Sequence, residues 1–381
     1  MELLQTIYSA PHSWRDLAGD LPSDRADLVL AFGLRSALEQ ADTLDAIRGR
    51  FPGAHHLLVS TAGNLADTQI DDEGVVCTAL RLEKSRLRCV AERYSPGADL
   101  RALCKNLIKK LCAPGLRHVL VFSDGGFVNG TELSEAFNAG LPPGVTLSGG
   151  LAGDGNDFAS TVVGLDEAPG PGGIAAVGLY GDPLRIRFGS AGGWSSFGPL
   201  RVVTGSAGNV LFTLDNHPGL EVYKNYLGDD AAGLPAAALR FPLCVTSPGQ
   251  PNAVVRTILS IDEQAGSMTF AGDIPLGATV RFMRASYEDL ITGAEEAARQ
   301  ATQKASLVLC VSCVGRRIVL GQRAEEEIEG VRASFGPGPI LAGFYSYGEL
   351  APSGQAKACQ LHNQTMTITS IAEVDSGTGS P

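Results

Sequence analysis

The sequence predicts an α/β (mixed α+β) fold of two domains, each a mixed, largely antiparallel sheet covered by helices. Three observations predict it. Apolar strand-like runs alternate with amphipathic helical stretches in both halves of the chain. Hairpin-spaced strand pairs are too frequent for a purely parallel sheet. The chain has 381 residues, 44% hydrophobic and 19% charged, which is enough apolar sequence for two or three cores.

Residues 1–25 read as a polar lead-in with one amphipathic piece, and residues 26–228 as the first domain. DLVLAFG from Asp27 reads as a buried strand followed by a helix over Ser36 to Phe51. HHLLVSTAG from His55 is a second strand, and Val75 to Leu82 with Leu87 to Tyr94 make a hairpin pair. Leu100, Leu103, Cys104, Leu107, Ile108 and Leu111 recur at helical spacing, so the spacing predicts a helix over Asp99 to Cys112. A strand from His118 ends in the glycine-rich SDGG and leads to a helix over Thr131 to Ala139. Further strands follow to Leu214, and Pro218 and Gly228 punctuate the helix in HPGLEVYKNYLG.

The Ala-rich stretch 229–239 reads as a connector and 240–374 as the second domain. That domain opens with strands over 243–246, 254–261, 267–270 and 279–285, with GDIPLG as a tight turn. Ser286 and Asp289 have the spacing of a capping box. SLVLCVSC is a strand, and Gly321 to Arg332 a helix whose EEEIE run reads as a solvated face. LAGFYSYGE (Leu341 to Glu349) and CQLHNQTMTI (Cys359 to Ile368) read as the last strands, and 375–381 as a disordered tail.

Composition narrows the function. The net charge is −11 and no basic stripe stands out, which argues against nucleic acid. The N-terminus lacks a basic region followed by an apolar one, and no apolar run is long enough to span a bilayer. With no export signal, the eight cysteines read as reduced thiols in a cytoplasmic protein without membrane insertion.

Most catalytic chemistry tests poorly. There is no Walker-type phosphate loop and no dinucleotide fingerprint. SGGLAGDG is glycine-rich but lacks a lysine. GFYSYG has one residue too many before Ser346 for a nucleophile elbow, and a loop follows where a helix is required. Cys310 and Cys313 form a lone C-x-x-C on a strand, where their sulfurs face opposite sides. An enzyme using Cys313 or Ser346 would need a base that no recognisable spacing supplies. Arg316 and Arg317 could hold a ligand carboxylate or pair with the EEEIE helix, and the second is the safer reading. No two of the six histidines have the spacing of a zinc hydrolase. One axial histidine suffices for haem, and His362 and His217 are the candidates.

The densest chemistry lies in GFYSYGE and LHNQT. Glycines framing tyrosines, a serine and a carboxylate suggest a pocket wall, with a buried, self-satisfied strand as the alternative. Tyr345 and Tyr347 would share one face of a strand and Ser346 the other, so only half of this stretch can line a site.

SDGGFVNGTEL, SGGLAGDGNDF, GGW at Gly192, VTGSAGN from Val203 and PGLEVYKNYLG resemble the N-terminal domain of the FIST family, the F-box and intracellular signal-transduction proteins. GDIPLG, CVGRR, GFYSYGEL and LHNQTMT resemble its C-terminal domain, in order and spacing. VSTAGNLADTQ departs from the family by carrying Asn64 where an acidic residue is common. The resemblance implies a cytoplasmic sensory module that binds a small ligand and signals through a histidine kinase or a cyclic-dinucleotide enzyme. One bacterial branch of the family senses nitric oxide through haem. The candidate ligand residues are Tyr345, Ser346, Tyr347, Glu349, Asn363, Gln364 and Thr365, with Arg316, Gly150 and Asp154. His362 is the first axial candidate for haem and His217 the second. A homo-oligomer is compatible with this reading.

Overall fold

The computed structural model describes residues 1–9, 13–234, 236–249, 253–353 and 358–374. The architecture is mixed α+β, with 43% strand against 27% helix. Among the described residues, four mixed or antiparallel sheets carry it. The first sheet has Leu28–Gly33 and His55–Ser60 in parallel at its centre. The helices Arg35–Leu38 and Ala41–Arg50 accompany it, burying Leu38, Leu44 and Ile47 with Val29 and Ala31. In the second sheet Leu116–Ser123 and Thr146–Leu151 run parallel, covered by the helices Leu100–Leu111 and Gly130–Gly140. The third pairs Leu307–Cys313 in parallel with Ile340–Ser346, beneath Tyr287–Ala301 and Ala324–Phe335. The fourth is antiparallel and packs with the helix Gly219–Leu227.

The first three sheets share one core, because their central strands are apolar on both faces. Phe32, Phe122 and Phe344, one from each sheet, meet there with ring centroids 4.8 to 6.1 Å apart.

The two halves also share sheets. Thr146–Leu151 pairs antiparallel with Gly348–Ser353, Asn64–Ala66 pairs with Ile340–Ser346, and Leu184–Ala191 pairs along its length with Met366–Glu373. The connector 229–239 is not a free linker. It forms two short 3-10 segments, Gly228–Gly233 and Ala236–Arg240, and Ala238 is fully buried.

Several expectations need correction. The lead-in at 1–25 contributes the strands Glu2–Ser9 and Ser13–Gly19 to the first sheet. Polar Gln5 disguised it, yet its side chain is buried and donates to the Leu341 carbonyl at 2.8 Å. The helix expected over Ser36 to Phe51 breaks at Gln40, which is extended, and the Thr43 hydroxyl takes the Ala37 carbonyl at 2.7 Å. The strand Leu307–Cys313 ends at the first residue of CVGRR, and the rest of that motif opens a helix, Val314–Leu320. The segment 254–261 is two strands, Val254–Arg256 and Ile258–Asp262. The EEEIE run is not wholly solvated, since Glu327 is fully buried. The stretch 359–368 is two strands, Ala358–His362 and Met366–Glu373, separated by a turn in which Gln364 has φ +60°. The tail 375–381 lies outside the described residues.

Candidate functional site

The stretch GFYSYGE is likewise not one strand. It leaves the third sheet after Ser346 and enters the second at Gly348, so Tyr347 stands at the crossing. Beside it opens a cavity of about 830 Å3, built from both halves of the chain. Gly125 to Gly130, Asn156 and Phe158 to Thr161 come from the first half; Thr257 to Leu259, Phe270 to Gly272, Cys313 to Gly315, Ile318, Tyr347 and Asn363 come from the second. Phe127, Phe158, Leu259 and Ile318 line it while remaining exposed, which marks the mouth.

Local chemistry fixes these walls. Asp124 ends its strand by accepting the N–H groups of Gly126 and Phe127 at 2.8 and 2.5 Å, an Asx turn. A Cβ at Gly125 would stand 2.1 Å from the Ala152 carbonyl oxygen, so only glycine fits there. Asn129 then caps the helix Gly130–Gly140, accepting from Thr131 and Glu132. Across the cavity, Gly315 leaves room for the Gln364 amide, which a Cβ would meet at 2.5 Å.

The loop after Leu151 is held down by two candidates. Asp154 accepts the N–H groups of Ala159 and Ser160 at 2.9 and 2.6 Å, and the Tyr347 hydroxyl donates to it. The Tyr347 ring stacks on Phe158 with centroids 4.6 Å apart and planes 10° from parallel. Phe158 itself has φ +51°, a conformation costly for a bulky residue, and the stack and its N–H bond to the Tyr347 hydroxyl hold it there.

The remaining candidates divide. Asn363 lines the cavity, is fully buried, and neither its amide oxygen nor its amide nitrogen has a partner. Thr257, missed at the sequence level, also lines it with an unpartnered hydroxyl. Ser346, Glu349 and Thr365 instead form a closed polar cluster. Ser346 Oγ donates to Glu349 Oε1 at 2.9 Å, and Thr365 donates to Oε2 through N and Oγ1 at 3.2 and 3.0 Å. Burial pushes the Glu349 carboxyl up to about 8.

Tyr345 and Arg316 belong to a second cluster around Glu327. Arg316 donates to Glu327 Oε2 at 2.7 Å and to the carbonyls of Gly192 and Leu290, so its guanidinium is spoken for. Tyr345 and Ser312 donate to Glu327 Oε1 at 2.8 and 3.0 Å. Gln364 donates to the Leu239 carbonyl at 3.1 Å and lies behind Gly315. Gly150 is a packing position: a Cβ would meet Val311 at 2.6 Å where two sheets touch.

The two haem candidates do not fit a haem site. His217 is exposed at a short strand and lines neither cavity. His362 lines a separate cleft of about 420 Å3 with polar neighbours that include Ser190, Gln300, Ser353 and Thr365, not an apolar slot for a porphyrin. Burial, with the nearby Arg256, pushes its imidazole down to about 4, and its unpartnered Nε2 is sealed from the cleft. Among the described residues no histidine lines the larger cavity, and no cluster of three or more potential metal ligands occurs. Cys313 does line it, but burial pushes its thiol up, away from the reactive thiolate.

Comparison with known families matches residues 27–217 to the FIST N domain and residues 219–352 to the FIST C domain. The chain belongs to the FIST family. FIST domains are small-ligand sensory domains in signal transduction. This FIST chain is similar to Uncharacterized protein Mb0898c of Mycobacterium bovis, at 26% identity over 59% of the chain and 60% of the relative's length. It is also similar to Uncharacterized protein Rv0628c of Mycobacterium tuberculosis, at 26% identity over 94% of both chains. The chain thus spans three fifths of the first relative and nearly all of the second. The segments that carried the resemblance converge in space. SDGGFVNGT, GDGNDF, CVGRR, GFYSYGEL and LHNQT all reach the larger cavity. No helix among the described residues is long and apolar enough to cross a membrane.

Proposed function

We propose that this FIST chain is a small-ligand sensor whose ligand occupies the 830 Å3 cavity between its two halves. The single observation that carries this is the cavity itself, open at a mouth of Phe127 and Phe158 and walled by segments of both halves, with Asn363 buried on its wall. The loop clasped by Tyr347 and Asp154, with Phe127 and Phe158 at the mouth, is the part that responds to occupancy. The response passes to a partner protein, for which a histidine kinase or a cyclic-dinucleotide enzyme is the family-based choice. Burial of Cys313 as a thiol favours binding over nucleophilic catalysis.

The test is a thermal-shift screen of the full chain against neutral and charged small molecules, repeated on Ala271→Trp, which narrows the cavity. Ligands that stabilise the parent by several degrees should lose that effect in the variant. Ligands that stabilise both equally would place the site elsewhere.

A further inference from the structure

We infer that the ligand of this cavity is an uncharged, mainly apolar molecule with a flat aromatic part, held by burial and ring contacts. The inference rests on the reading that the cavity is the ligand site. Among the described residues, no Asp, Glu, Lys, Arg or His lines it. The charged groups behind its walls are engaged there. Asp124 accepts the N–H groups of Gly126, Phe127 and Gly172, and Asp154 those of Ala159 and Ser160. Arg256 donates to the carbonyls of Leu361 and Asp273. A carboxylate or ammonium buried in this space would lose its water and meet no counter-charge.

Most polar atoms of the wall are engaged as well. Glycine-rich loops hold anions when their N–H groups are free. Here the Gly125 N–H goes to Thr161, those of Gly126 and Phe127 to Asp124, and that of Phe158 to the Tyr347 hydroxyl. Asn129 is committed to Asp273 and to its own helix, and Asn209 donates to the Phe270 carbonyl. The unpartnered atoms of Asn363 and Thr257 are enclosed, out of a ligand's reach. Asn156 and Ser160 remain, two neutral side chains on either side of Phe158, with Asn156 exposed to solvent. They can meet a carbonyl or hydroxyl at the outer end of a ligand and offer it no charge.

The apolar part of the wall is open by contrast. Phe127, Phe158, Leu259 and Ile318 line the cavity yet stay exposed, so a ligand that covers them removes apolar surface from water. Tyr347 stacks on one face of Phe158, which still keeps 51% to 48% company with Phe127 at the mouth in its own exposure, so a ligand ring can extend that stack.

Three probes of similar size separate the alternatives: 2-acetylnaphthalene, its saturated counterpart 2-acetyldecalin, and 2-naphthoate, each titrated calorimetrically into the full chain. 2-Acetylnaphthalene is expected to bind, and Ala271→Trp to weaken it. 2-Naphthoate should be roughly 10- to 100-fold weaker for lack of a counter-charge. 2-Acetyldecalin should be about 3- to 10-fold weaker for lack of a stack. Phe158→Leu should erase that second preference. Phe158→Gly is a further variant that also relieves the left-handed backbone, and circular dichroism checks that both fold. A naphthoate that binds as tightly as the ketone, at the start of the helix Val314–Leu320, and is weakened by Ala271→Trp overturns the neutral class and leaves the cavity as the site. A decalin as tight as the naphthalene overturns the aromatic part. Failure of 2-acetylnaphthalene to bind, or binding that Ala271→Trp leaves unchanged, overturns the ligand class. The cavity reading falls separately, if the broad thermal-shift screen finds no ligand that Ala271→Trp displaces.

Discussion

The Tyr347 hydroxyl donates to Asp154, joining a residue at the crossing between two sheets to a loop that walls the cavity. Tyr347→Phe keeps the ring stacked on Phe158 and removes this bond, together with the hydroxyl's contacts to the Phe158 N–H and the Gly155 carbonyl. We expect a stability loss of about 1 kcal/mol, with faster hydrogen exchange at Ala159 and Ser160. Asp154→Ala, which also frees both of those N–H groups, should cost about twice as much. Unchanged exchange across 155–161 in both variants would show that the loop is held by other means.

Asn363→Leu should stabilise the ligand-free protein. It replaces an unpaired buried amide with an apolar side chain of similar size, a gain of about 1–3 kcal/mol. Urea denaturation of the two proteins measures the effect, and a destabilised variant would mean that the amide is paired in solution.

Glu349 sets a pH dependence whose sign is opposite to that of most carboxylates. Its carboxyl is pushed up by burial to about 8, from an ordinary value of 4.5, so the folded chain holds a proton that the unfolded chain releases. Its contribution is complete below pH 4.5 and is lost as the pH rises towards 8, on the order of a few kcal/mol. His362 acts on the other limb. Held down to about 4 from 6.5, it withdraws stability as the pH falls through that interval. Glu349→Gln should therefore flatten the decline between pH 6.5 and 8 and leave the His362 limb unopposed between pH 4.5 and 6.5, which urea midpoints between pH 5 and 9 would resolve.

Arg316 and Glu327 form a fully buried ion pair, with both side chains at 0% exposure. Arg316→Met leaves Glu327 with only Ser312 and Tyr345 and should cost about 3–5 kcal/mol. Adding Glu327→Leu should recover a large part of that loss, because it removes the stranded charge. A double variant as unstable as the single one would show that the arginine matters for its carbonyl contacts, not its charge.

The periodic elements were legible in the sequence. The helix expected over Asp99 to Cys112 is one residue shorter at each end, with those two residues as its caps, and the Ser286–Asp289 capping box is formed as spaced. Glycine-framed motifs led to the cavity through Tyr347 and Asn363, and to the loop that Asp154 holds, because close backbone approach leaves a compositional mark. Other parts were hidden for physical reasons. Strand alternation presumes a single continuous strand, and it fails where the chain changes sheets at Tyr347 and turns at Gln364. Polar density cannot distinguish the unpaired amide of Asn363 from a serine already bound to Glu349. Thr257 carried no local signal at all; only the fold brings it to Asn363's cavity.

Leu184–Ala191 and Met366–Glu373 lie at remote points of the sequence and are zipped together by eight consecutive register pairs. With the other cross-half ladders, this makes the chain one mechanical body instead of two lobes on a pivot. A ligand between the halves cannot signal by swinging them open or shut without tearing backbone hydrogen bonds. On the proposed reading, occupancy of the cavity would be expressed as small displacements of the loops at its mouth.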